Sequence, residues 1–317
     1  MGKLIGKWAW AIKLAVTAAA LLLVFQFVDP AAVWADISRT NPLVWFVVLA
    51  LFLTGHGVAA FKWALMTGTA SQFITVLKAH FAGLAANLGL PGVAGGDVVR
   101  AGLLMGSDAH KGRVVVGSVA DRLIDVGALL LIASATAAVL GSEGAAYGRY
   151  LTAASVIAII AAVIVIANLG RLAGLLRTFS AGTKAEKIGA SLANAFEAAA
   201  ADKGALLTCI GLSVAVQSGF ALLNAALSQS MGGPSDPLLW LFAWPLAKLV
   251  ATLPISIGGL GVRETSLATF FAALGVTAPE VVATGFVWQT ILIGGGLFGL
   301  AIQFIGPRKA AAISETS

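Results

Sequence analysis

The sequence predicts an all-α polytopic membrane protein with about six full spans, two broken or re-entrant helical hairpins and an inverted internal repeat. The composition is the first reason: 59% of residues are hydrophobic, 11% are charged and the mean hydropathy is +0.96. No soluble domain of 317 residues needs that much apolar surface. The second is a set of long apolar runs, two of them interrupted by proline and glycine. The third is that these two interruptions share one residue pattern.

The runs follow in order. Residues 12–28, with Lys3 and Lys7 before them and Lys13 at their start, read as a first anchor. The same segment has the shape of a signal peptide, with Val33-Trp34-Ala35 resembling a cleavage site, but the many spans that follow favour the anchor. Further full spans are read at 43–65, 114–140, 151–169, 205–227 and 281–305. Each has about the 17–25 residues needed to cross ~30 Å of hydrocarbon. The apolar stretch 73–105 is broken at 91–96, and 238–274 is broken at 254–261. Irregular backbone at membrane depth must be covered by protein or line a hydrated cavity, so both stretches read as helical hairpins. The polar stretch 171–204 reads as one amphipathic helix on the membrane surface.

Charge sets the direction. With the N-terminus in the cytoplasm, the opposite side receives only Arg39 and Arg149. Arg100, Arg122, Lys248 and Arg263 fall at membrane depth, and every other Lys and Arg, Lys62 included, falls on the cytoplasmic side. This bias is the positive-inside signature, and it places the C-terminus and 171–204 in the cytoplasm too. The net charge of +6 is topological and suits anionic headgroups; nucleic-acid binding is not expected. Cys209, the single cysteine, excludes an intrachain disulfide and reads as a packing residue.

The interruptions read Leu90-Pro91-x3-Gly95-Gly96-x3-Arg100 and Leu253-Pro254-x3-Gly258-Gly259-x3-Arg263, an offset of 163 residues. The same offset carries 43–65 onto the 205–227 span and 114–140 onto the last span. Residues 1–317 therefore read as a single membrane domain with repeats at 43–140 and 206–303. A linking span and the cytoplasmic connector occupy 141–205. Three full spans begin between the two repeat starts, and an odd number inverts the second repeat.

The polar residues at membrane depth are the candidate site. Arg100 and Arg263 stand at equivalent places, and guanidinium forks suit phosphate. Gly95, Gly96, Gly258 and Gly259 are read as turn residues with free backbone N–H groups near a helix start, and Lys248 adds positive potential. The alternative is that Arg100 pairs with Asp97, and Arg263 with Glu264, to hold each hairpin. Asp121, Arg122 and Asp125 share one stretch of helix, either as a coupling site or as a self-neutralised cluster. Thr284, Gly285 and Trp288 stand at the matching places, so that cluster is not duplicated. His56 reads as a hydrogen-bonded structural residue, and Gly295-x3-Gly299 as a helix-packing pattern. No catalytic, metal-binding or cofactor motif is found, and no enzyme is expected.

Three stretches together resemble a known family. They are the 90–100 motif; Val119-Ala120-Asp121-Arg122-Leu123-Ile124-Asp125; and the 253–264 motif ending Gly261-Val262-Arg263-Glu264. They are similar to the lysylphosphatidylglycerol synthase transmembrane-region family of flippase-like bacterial and archaeal membrane proteins, over about residues 10–305. The resemblance implies a bacterial inner-membrane transporter or flippase for a lipid or lipid-linked anion with a phosphate headgroup. Its alternative is a membrane enzyme, or an accessory subunit to a lipid-modifying partner enzyme, in lipid-phosphate or hopanoid lipid metabolism. The sequence ends at Ser317 with no soluble aminoacyl-transferase domain, so synthase activity is not expected. The oligomeric state is not legible.

Overall fold

The computed structural model describes residues 30–88, 94–107, 110–140, 168–181, 186–253, 256, 259–276 and 279–305. Among these the chain is helical throughout, with no strand. A short helix α1 (Pro30–Ser38) precedes a first quartet: α2 (Pro42–Thr67), α3 (Phe73–Ala86), α4 (Ala94–Met105) and α5 (Lys111–Leu140). Helices α6 (Leu169–Ser180) and α7 (Glu186–Ala201) lead to a second quartet: α8 (Lys203–Ser230), α9 (Pro237–Thr252), α10 (Val262–Ala273) and α11 (Pro279–Ala301).

Four described helices are long and apolar enough to span a membrane: α2, α5, α8 and α11 with its 3-10 extension to Phe304. They match four of the six expected spans. The expected span 12–28 lies outside the described residues, as does nearly all of 151–169. The connector differs from expectation, since 171–204 holds α6 and α7 in place of one helix. The two helices pack on each other, tied by Arg177 to Glu197 at 2.7 Å. A Cβ on Gly112 at the start of α5 would meet the Ser191 backbone oxygen at 3.0 Å, so α7 also closes on α5.

Local chemistry starts the helices where they start. Asn41 Oδ1 accepts from Leu43 N at 2.9 Å with Pro42 at the first position, and Asp236 with Pro237 repeats the device on α9. Each such cap contributes about 1 kcal/mol. Gly68, at φ +66°, ends α2 in the left-handed region that favours glycine.

The quartets exchange partners. Helix α2 packs on α8, α3 on α11, and α9 on α5. The α3–α11 approach needs glycine: a Cβ on Gly299 would strike the Phe81 carbonyl, and Gly295 faces Phe52 and Leu84. Pro245 inside α9 cannot donate to the Leu241 carbonyl, and the Thr136 hydroxyl of α5, shared with Ile132 O, lies 3.4 Å from that orphan. The core joins Phe52, Phe220, Trp240, Trp244, Phe271 and Trp288 across both quartets. Phe46, Leu51, Val119, Leu207 and Leu297 point outward, the arrangement a hydrocarbon solvent permits.

Candidate functional site

Three long helices (α2, α5 and α8), the α3–α4 hairpin and α9 bring their polar residues together. Asp121 and Asp125 on α5, and Ser213 and Gln217 on α8, lie about 15–21 Å along from the first residues of their helices at 1.5 Å per residue. That is about a third to a half of the way along each of these two helices. They border a cavity of about 70 Å³ with His56, Lys62, His80, Arg100, Arg122 and Lys248.

Arg100 is fixed on every side. Its Nε lies 3.0 Å from Asp97 Oδ1 and its Nη2 donates to Asp121 Oδ2 at 2.9 Å. Its Nη1 is 3.3 Å from His80 Nδ1, and the guanidinium stacks on Trp63 at 4.6 Å. Arg100 can only donate, so His80 Nδ1 accepts. A neutral His80 then carries its proton on Nε2 and donates it to His56 Nδ1, 3.0 Å away. His56 is thus hydrogen-bonded, as its sequence reading expected, and it also lines the cavity.

Lys62 departs from expectation. The charge map put it on the cytoplasmic side, yet its side chain is 2% exposed and lies 3.0 Å from Asp121 Oδ1. It also pairs with Asp125 and donates to Ser213 Oγ at 3.1 Å. A lysine five residues before the end of an apolar helix resembles a flanking charge in sequence, and only the carboxylates of α5 reveal where it goes. Arg122 pairs with Asp97 and lies 4.0 Å from Asp125. Lys248 has no carboxylate partner among the described residues. Its Nζ donates to Gln217 Oε1 at 2.6 Å and sits 5.1 Å over the Phe220 ring.

The glycines behave differently from the free-amide reading. Gly95 and Gly96 lie inside the first turn of α4, because that helix begins at Ala94, and Gly96 N donates to Asn87 Oδ1 at 2.9 Å. Gly96 earns its place by close approach: a Cβ there would strike the Gly83 carbonyl of α3. In the second break Gly259 and Gly261 have φ of +77° and +78°, and Gly258 lies outside the described residues.

Arg263 sits apart from the cavity lining. Its Nη2 meets Glu264 Oε1 at 2.5 Å, and Gly285 O and Gln289 Oε1 at 3.1 Å each. Glu264 in turn accepts from Gly261 N at 2.7 Å. Each arginine therefore holds the acid that the structural reading assigned to it. His80, Ser213 and Gln217 join the site without having been singled out; a polar residue on an otherwise apolar span was their one sequence signal. Among the described residues no cluster of metal-binding side chains occurs.

The family model described as Lysylphosphatidylglycerol synthase TM region matches residues 10–298. No curated protein and no solved structure matches the chain. The chain belongs to that family, which makes it a membrane protein of lipid metabolism or transport.

Proposed function

We propose that this member of the lysylphosphatidylglycerol synthase transmembrane-region family moves a lipid or lipid-linked anion with a phosphate headgroup across a bacterial inner membrane. One observation carries the reading: four cations, Lys62, Arg100, Arg122 and Lys248, gather around a cavity among the spanning helices with three carboxylates, Asp97, Asp121 and Asp125. Charges toward the middle of spanning helices are costly, by about 2.5–3.5 kcal/mol each on insertion scales, and mark ion and substrate paths. The reading includes cytoplasmic termini and a two-fold relation, in the membrane plane, between 43–140 and 206–303. The recurring order of the quartets and their reciprocal packing support that relation.

An enzyme is the less favoured reading. Ser213 and Lys62 are close enough for a nucleophile–base pair. An ammonium bridging Asp121 and Asp125, however, has no lone pair to take the hydroxyl proton.

The test is lipid movement in vesicles reconstituted with the purified full chain and labelled anionic phospholipids. Arg100→Lys keeps the charge but loses the fork, and is expected to slow transport about tenfold or more. Arg263→Lys is expected to change transport only as far as it changes the amount of folded protein. Wild-type vesicles no faster than empty ones would end the reading. Equal loss in both variants, at unchanged stability, would show that the charged cavity around Arg100 is not what sets transport.

A further inference from the structure

We propose that the cavity seats a single phosphodiester monoanion, held by Lys248 and Arg122. The proposal rests on the transport reading for the phosphate, and adds the charge state and the residues.

The charge count is the first argument. Taken in their charged forms, the four basic side chains Lys62, Arg100, Arg122 and Lys248 at the cavity and the three acids Asp97, Asp121 and Asp125 of the same network leave one positive charge uncompensated. One monoanion neutralises the site, whereas a phosphomonoester dianion leaves it negative in surroundings where an unpaired charge is expensive. The second argument is where free donors remain. Lys62 is spent on Asp121 and Asp125, and Arg100 on Asp97, Asp121 and His80. Lys248 uses only one of its three donors, on Gln217. Arg122 Nε is buried without a hydrogen bond, although another nitrogen of the same guanidinium pairs with Asp97; Arg100 Nε also lacks one, but it faces Asp97 Oδ1 at 3.0 Å. Both residues line the cavity. A diester offers two non-bridging oxygens, one for each donor. The third argument is room: about 70 Å³ holds a handful of waters or one tetrahedral oxyanion, but not a whole headgroup with its substituents. The rest of the lipid therefore stays outside the cavity, and recognition is confined to the phosphate.

Titration calorimetry of the detergent-solubilised full chain at pH 8 tests this. The probes are dihexanoyl-phosphatidylglycerol (a diester), dihexanoyl-phosphatidate (a dianion at that pH), inorganic phosphate and dodecanoate. The diester is expected to bind about tenfold or more tightly than each of the others. Lys248→Gln and Lys248→Met are expected to lose about tenfold or more of that affinity, and Lys248→Arg to keep it within a few fold. A Lys248→Gln protein with wild-type melting temperature and wild-type diester affinity overturns the proposal. Equal binding of phosphatidate overturns the charge argument. Equal binding of inorganic phosphate overturns the lipid source, and equal binding of dodecanoate overturns the phosphate. The transport reading fails separately: diester binding lost in Lys248→Gln, in a wild-type protein that moves no lipid, keeps the seat and removes the flippase. Undiminished transport by Lys248→Gln removes the seat and keeps the flippase.

Discussion

Arg100 on α4 and Arg263 on α10 follow the same proline–glycine pattern and are buried alike, at 3% and 4% exposure. Their surroundings differ. Arg263 meets one acid, Glu264, plus a carbonyl and an amide, and the pair is closed and neutral. Arg100 enters a network of seven charges with a cavity beside it. The residues 163 positions from Lys62, His56, His80, Asp121, Asp125 and Lys248 are Ala225, Gly219, Ala243, Thr284, Trp288 and Ala85. The polar residues of the site thus come mostly from the first repeat, with Ser213, Gln217 and Lys248 added by the second, and small or aromatic residues stand at the places that match these six. Equivalent sequence positions do not imply equivalent roles: the same arginine fastens a hairpin in one half and helps build a charged chamber in the other.

The largest way to break this comparison is at positions 121 and 284. Asp121→Ala strips both Lys62 and Arg100 of a shared carboxylate and is expected to cost about 3–5 kcal/mol, read as a lower melting temperature or lost folded yield. Thr284→Ala removes only a hydroxyl bonded to Glu280 O within its own helix, and is expected to cost about 1 kcal/mol or less. Similar losses at the two positions would show that the halves are equally charge-dependent.

A second test exchanges the packing positions 299 and 136. Gly299→Thr drives a side chain into the Phe81 carbonyl and is expected to cost about 1–3 kcal/mol. Thr136→Gly should cost about 1–2 kcal/mol, through helix propensity and the Leu241 carbonyl it leaves without a donor. Thermal unfolding of both variants reads the difference. A small and local effect is expected of Asn87→Ala, which uncaps Gly96 N for about 1 kcal/mol. Its signature is faster hydrogen exchange confined to the start of α4.

Much of the fold was legible. The spans at 43–65, 114–140 and 205–227 fall inside α2, α5 and α8, and 281–305 matches α11 with its 3-10 extension to Phe304, because a run of that length and hydropathy has few alternatives in a bilayer. The hairpin breaks were legible for the same reason, since proline and glycine end apolar helices; the first is displaced toward the N-terminus, lying between Ala86 and Ala94, with Gly95 and Gly96 already helical. At the site, Arg100, Asp97, Asp121, Arg122, Asp125 and Lys248 stood out as charges in apolar sequence, whereas Lys62 and His80 did not.

The sequence by itself determined the class of protein, the helices and the charges they carry, since hydropathy, proline, glycine and ionisation act locally along the chain. Only the tertiary structure decided which charges meet. It turned Lys62 inward onto α5, left Lys248 with an amide in place of a carboxylate, and closed Arg263 on Glu264. Pairing of buried ions depends on distances of about 3 Å between helices far apart in sequence, and hydropathy along one helix carries no information about the face its neighbour presents.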